Sequence, residues 1–481
     1  MMRAFLLTGI LTLTVLLAGA HASAGGVTVL VHGWHVSSGE PSWPPAMQSA
    51  IAQARLGGEQ SFGTVTVTGS AGSLIATCDP WDVDLATSTT GEIVVRVNWS
   101  AVADHLVSHV TAQEVAAVVA PTLYQGQNGD RPLAELPLHL VGHSRGGGMV
   151  LELARLLGEQ GIDVDHVTAL DAHPLTGADP QPIQPPTPVV DTPAAVYENV
   201  VFADSYWQQI SYPEGEYVAG AFNREWTSLP GGYHEHQNTA YNNVADHLNV
   251  HLLYHATVDL ATPVSDGEAT ADAAERTAWF NDSEGDGGGT GFIYARIDGS
   301  GDRLGEEQPV AGGDAIRDGL HQDPLLGGAG ARTTQNWASA VWPNIVHLEL
   351  LRDGTPLPAG AVTILPGEAL DIRLVGRDAD SGVDITLVFD SDRNPYNSND
   401  ITTVDTIAHA ASSTAFFELT RTWDTSGLAE GTTGYVVARI DDGGRTRHLV
   451  ALPRIEVGAG SIFSDGFEDG DTGAWSAVSA R

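Results

Sequence analysis

A chain of 481 residues with 42% apolar side chains can bury more than one core, so two or three folded units are expected. Its 22 basic residues, all arginine, stand against 60 acids and leave a net charge of -38, a balance that repels phosphate and makes nucleic acid a poor partner. The single cysteine, Cys78, excludes an intramolecular disulfide and a cysteine-based metal site.

In chain order, Met1-Met2-Arg3, the apolar stretch Ala4 to Leu17 and the small residues Ala22-Ser23-Ala24 read as an export leader over residues 1–24. A secreted or cell-surface protein without a transmembrane segment is the expectation. The acidic, arginine-biased composition fits such a protein from a GC-rich genome, and it equally fits adaptation to salt, which screens self-repulsion. Val27 to Val31 is a short β-branched strand ending at His32-Gly33-Trp34, and Pro44 to Arg55 is helix-like. Phe62 to Thr77 alternates valine with threonine around glycine and reads as a hairpin; Ile93 to Trp99 reads as a strand. Ala101 to Leu123 has the spacing of one long helix. Leu136 to Val141 is an apolar strand, Arg145 to Gln160 an amphipathic helix closed by Gly161, and Val164 to Leu170 and Val200 to Ala203 are further strands. Continuous apolar strands separated by helices predict an α/β unit, a mostly parallel sheet covered on both faces.

Between the strand at Leu136 and the helix after it stands Gly142-His143-Ser144-Arg145-Gly146. A serine hydroxyl is a poor nucleophile until it is held exposed, beside a base, with backbone donors aimed at the developing oxyanion. A sharp strand-to-helix turn supplies that geometry, and small residues two before and two after the serine permit the bend.

The strand and helix order, the His32-Gly33 dipeptide and this pentapeptide together resemble the α/β-hydrolase superfamily over about Gly25 to Leu260, in a compact, lipase-like version without the two leading strands of larger members. The resemblance implies Ser144 as nucleophile and the backbone N–H groups of Trp34 and Arg145 as the oxyanion hole. An acid is then required at a strand end, where it can orient the base. Asp171 is preferred, with Asp204 at the next strand end as the alternative. For the base, His247 opening the last helix is preferred, with His251 and then His236 as alternatives. His247, His251 and His255 also share the i, i+4, i+8 spacing of a metal-binding helix face, which a solvated face explains as well. Trp34, Trp43, Trp207 and Trp226 fall in or near loops expected at the mouth of the site.

Residues 263–344 are an acidic, glycine-rich extension in which Gly291 to Arg296 looks like a lone strand. From 345 to 458, short alternating strands at Ile345–Leu351, Leu370–Val375, Ile385–Phe389, Ala415–Arg421, Tyr435–Ile440 and His448–Ile455 predict a smaller all-β sandwich, immunoglobulin- or fibronectin-like in architecture. Its turn at Asp390, Asp392 and Asn394, near Asp400, could hold a structural calcium ion. Residues 459–481 resemble a short C-terminal segment of secreted bacterial proteins, a candidate sorting element. The resemblance as a whole implies a secreted, cofactor-independent serine hydrolase acting on small-molecule or lipid carboxylic esters, lipase- or esterase-like. The alternatives are a polyester depolymerase, carbohydrate esterase, thioesterase or peptidase on the same scaffold, or a surface or adhesion protein that has lost activity.

Overall fold

The five residues of β1 (Val27–Val31) are all buried, as a strand covered on both faces must be, and their alternation sorts them between two apolar layers. The computed structural model in which they lie describes residues 25–37, 39–55, 62–79, 91–126, 131–179, 188–210, 212–226, 245–258, 265–270, 291–292, 308–309, 315–316, 332–338, 341–358, 360–410 and 416–458. After β1 come α1 (Trp43–Arg55), the hairpin β2 (Phe62–Ser70) and β3 (Ser73–Cys78), then β4 (Ile93–Asn98). The short helices α2 (Ser100–Ala103) and α3 (His105–Ser108) precede α4 (Ala112–Tyr124), β5 (Leu138–His143) and α5 (Arg145–Glu159). β6 (Val164–Leu170), β7 (Val200–Trp207), β8 (Phe222–Glu225) and α6 (Ala245–Ala256) complete this α/β unit.

Eight strands form one sheet in the order β3-β2-β4-β1-β5-β6-β7-β8, parallel throughout except for the hairpin. The edge beyond β4 is thus filled by β2 and β3, which arrive from after α1. On one face Val27, Val29 and Val31 pack with Val115 and Val119 of α4 and Met149 and Leu153 of α5. On the other, Leu30, Val94, Val141 and Leu170 meet Trp43, Met47 and Ile51 of α1 and Val250, Leu253 and Tyr254 of α6.

The single helix expected over Ala101–Leu123 is three. The Asp104 side chain accepts from the Leu106 N–H to start α3, and His109 at φ 54 ends it in the left-handed region. Thr111 and Glu114 then form a reciprocal capping box that starts α4. Helical spacing of the apolar residues persists across these breaks, so periodicity alone does not register them.

A two-residue ladder pairs β9 (Gln308–Pro309) with β10 (Ala315–Ile316) in the extension. The lone strand expected at Gly291–Arg296 is not one at its start: Phe292 is buried against α6, its N–H donating to Thr257 Oγ1 at 2.8 Å. The rest of that segment lies outside the described residues, as do residues 1–24 and 459–481.

The C-terminal β unit contains β11 (Asn344–Arg352), β12 (Thr355–Pro356), β13 (Gly360–Ile364), β14 (Ala369–Arg377), β15 (Val383–Asp390), β16 (Asp400–His409), β17 (Phe417–Asp424), β18 (Thr433–Asp441) and β19 (Thr446–Val457). They make two sheets, β12-β11-β14-β17 and β13-β19-β18-β15-β16, which share one core between their inner faces. The strand expected at Ala415–Arg421 runs Phe417–Asp424. β12, β13 and β16 were not expected. β16 is an edge strand of mostly polar and half-exposed residues, without the apolar alternation that marks its neighbours.

This unit docks on the end of the parallel sheet where β5 and β6 begin, opposite to the strand ends that carry Ser144 and Asp171. Arg447 reaches across to donate to the Asp163 carbonyl at 2.7 Å and Asp165 Oδ2 at 3.1 Å, and Arg377 pairs with the Asp163 carboxylate. Asn344 donates to the Gly161 carbonyl at 2.7 Å and accepts from the Asp163 N–H at 2.8 Å. Among the described residues no helix is long and apolar enough to cross a membrane.

Candidate active site

Ser144 sits between the last residue of β5 and the first of α5 with φ 59 and ψ -128, a strained conformation for a residue with a Cβ. Neighbouring backbone holds it there: the Ser144 N–H donates to the Leu170 carbonyl at 2.9 Å, and its carbonyl accepts from Gly147 and His173. The turn is tight because α5 starts almost against the end of β1. A Cβ on Gly146 would lie 2.5 Å from the His32 carbonyl oxygen, and one on Gly33 would lie 2.5 Å from the Ser144 Cβ. Only glycine at these two positions lets the His32–Trp34 loop approach the serine so closely.

Asp171 lies just beyond the end of β6, at φ 44, and is fully buried. His247 lies in the first turn of α6, and its Nδ1–H donates to Asp171 Oδ2 at 2.6 Å. Gln208, one residue past β7, donates its N–H to Oδ1 at 2.9 Å and its Nε2 to Oδ2 at 3.0 Å, and the Gly215 backbone donates to the same carboxylate. Burial pushes Asp171 up to about 7 against the pull of these Gln208 bonds, and burial likewise lowers His247 well below the usual imidazole range. Both effects oppose charge separation within the pair, which therefore rests as a neutral imidazole donating to the acid. With Nδ1 carrying the proton, Nε2 is the basic atom.

Ser144 and His247 line one cavity of about 160 Å³ together with Trp34, Val36, Trp43, Pro213, Leu248 and Glu268. Of the four tryptophans expected at the mouth, Trp34 and Trp43 line it. Trp226 instead is buried in the core against Tyr206, ring centroids 4.8 Å apart, and Trp207 is not among the lining residues.

The donors expected for an oxyanion belong to the loop packed against the serine through Gly33 and to the residue that follows the serine. Arg145 is the first residue of α5, where a backbone N–H has no intrahelical acceptor. Its side chain points away into a buried bidentate pair with Asp191, Nε to Oδ2 and Nη2 to Oδ1 both at 2.8 Å, and donates further to the Val110 carbonyl. Asp191 stays below the ordinary carboxylate value because the Arg145 charge and its donated bonds outweigh burial. Trp34 is held by its indole N–H on Asp104 Oδ1 at 3.3 Å. Ahead of it the His32 ring donates from Nδ1 to the Gly33 carbonyl and accepts at Nε2 from the Trp99 N–H, a neutral ring that burial lowers to about 3.

The alternatives are engaged elsewhere. Asp204 accepts from His166 Nε2 at 2.9 Å, Thr168 Oγ1 at 2.6 Å and the Tyr206 hydroxyl at 3.0 Å within the sheet. His251 is fully buried, paired with Asp266 at 2.8 Å and stacked on Trp43. His236 lies outside the described residues. His247 and His251 thus serve different acids despite their shared helix face, and among the described residues no three His, Cys, Asp or Glu side chains converge as a metal site would require. In the β unit, Asp392 accepts from the Asn394 N–H and from the Asn397 and Asn399 amides, and Asn394 Oδ1 accepts from the Tyr396 N–H. Asp390 accepts from the Asp392 N–H, and burial raises it to about 7.

Gln208, Asp191, Glu268 and His143 escape a reading of the chain alone. His143 donates from Nε2 to the His247 carbonyl at 2.9 Å and so ties the elbow to α6 across 104 residues. Only its place within the pentapeptide hinted at a role.

No protein-family model and no curated protein matches the chain. Among solved structures it is similar to the lin2722 gene product of Listeria innocua, with 13% identity, a TM-score of 0.26, and coverage of 40% of this chain and 72% of that one.

Proposed function

We propose that this protein is a serine hydrolase of the α/β-hydrolase kind that cleaves carboxylic esters through an acyl-enzyme. One observation carries the reading: a histidine bonded at 2.6 Å to a buried carboxylate lines the same cavity as a serine held at positive φ on a strand-to-helix turn. In this mechanism Ser144 Oγ attacks the ester carbonyl while His247 Nε2 takes its proton. The tetrahedral oxyanion is held by the N–H groups of Trp34 and Arg145, and Asp171 keeps the proton on Nδ1 and stabilises the imidazolium. Collapse expels the alcohol, which leaves with the proton from Nε2; water activated by the same nitrogen then releases the acid and frees the serine. No step calls for a cofactor. Export by residues 1–24 belongs to the same proposal, with the β unit as a spacer or anchor.

A fluorophosphonate probe is expected to label the purified protein, and p-nitrophenyl acetate to be hydrolysed; both signals are lost in Ser144→Ala. Labelling that persists in Ser144→Ala, or an unlabelled and inactive wild type, would overturn the assignment.

A further inference from the structure

The cavity beside Ser144 is apolar on most of its wall, yet Glu268 reaches it from the turn at residues 265–270. Among the described lining residues Glu268 is the only carboxylate and none is arginine. Its position is built. In the turn at residues 265–270, Asp266 Oδ1 accepts from the N–H groups of Glu268 and Ala269 at 3.1 and 2.9 Å, and the Ser265 hydroxyl donates to the Ala269 carbonyl at 2.9 Å. The Ser42 backbone donates to the Glu268 carboxylate. His35 and His251 stand near that carboxylate, and His251 is already paired with Asp266 at 2.8 Å.

Of the two indoles on the wall, Trp34 is 36% exposed, whereas Trp43 is 1% exposed and stacked on His251. An exposed indole together with a fixed carboxylate favours a desolvated cation and repels an anion. The field of the whole chain acts in the same sense, since a net charge of -38 draws cations toward its clefts. Size agrees as well: a cavity of about 150 Å³ accommodates a group such as benzene, and a trimethylammonium-ethyl group has a similar number of heavy atoms.

We infer that the substrate is an ester bearing a quaternary ammonium group, received by Glu268 and Trp34; this rests on the hydrolase reading above. The test compares isosteric pairs with the full chain and with Glu268→Gln. Acetylcholine against 3,3-dimethylbutyl acetate places the cation on the alcohol side, and glycine betaine ethyl ester against ethyl 3,3-dimethylbutanoate places it on the acyl side. For one pair, the cation-to-neutral ratio of kcat/KM is expected to fall about tenfold in Glu268→Gln, the size of a desolvated cation contact. Trp34→Leu, which keeps the backbone N–H, lowers the same ratio and serves if Glu268→Gln does not fold. Should turnover be too slow to measure, protection of Ser144 from fluorophosphonate by choline against 3,3-dimethylbutan-1-ol reads the same ratio. Ratios unchanged by both variants overturn this inference while leaving the labelled serine hydrolase standing; absence of labelling removes the hydrolase reading itself.

Discussion

Asp171 shows how much one buried carboxylate is asked to do. It takes an N–H from His247, two from Gln208 and one from the Gly215 backbone, so its oxygens are saturated by donors, and in the proposed mechanism it chooses the tautomer of the imidazole. An amide in its place presents an NH2 group where an acceptor is needed, which turns the ring to put its proton on Nε2, the atom that takes the proton from Ser144 in the proposed mechanism. Asp171→Asn is expected to fold and to lower kcat on p-nitrophenyl acetate by about 10⁴ with KM little changed. Activity near that of the wild type would remove Asp171 from the triad. Ser144 and Asp171 were legible in the chain because each follows an apolar run that could only be a buried strand. His247 was preferred for opening the last helix, with His251 and His236 as alternatives that no local signal removed, and Gln208 was not legible at all, because a glutamine after a strand carries no local signal of what its amide will meet.

At the scale of elements, the stretch from Ser100 to Tyr124 shows local side-chain chemistry overriding apolar periodicity. Thr111 accepts from the Glu114 N–H, and Glu114 in turn accepts from the Thr111 backbone and from Gly72 in the β2–β3 turn. One acid therefore caps α4 and pins the edge hairpin to it, and these donated bonds lower its pKa despite the opposing effect of partial burial. Thr111→Ala is expected to cost about 1 kcal/mol of stability, seen as a lower urea midpoint with an unchanged slope. An unchanged midpoint would mean that α4 is held by packing alone. The helix breaks were readable in principle from Asp104 and the Thr111–Glu114 pair, but a continuous apolar stripe masks such caps.

At the scale of the whole molecule, the α/β and β units are joined through buried charge. Arg447 is 2% exposed and donates to Asp163, Asp165 and Asn344, while the Asp165 carboxylate also caps the start of β5 through the Leu138 N–H. Removing the guanidinium strands a buried acid, so Arg447→Ala is expected to cost about 3–5 kcal/mol, measured by denaturant unfolding, whereas a purely rim contact would cost little. A loss near zero would show the units to be independently stable and loosely joined. From the sequence alone came the α/β unit followed by a β unit, the sharp turn at Ser144 and the strand end at Asp171, because periodicity, glycine spacing and turn chemistry act over a few neighbouring residues. Only the tertiary structure decided which histidine meets Asp171, that Glu268 from the extension joins the cavity wall, and that two arginines of the β unit enter the other. Those pairings close loops of 76 residues or more, and the burial that makes them matter exists only once distant segments have packed.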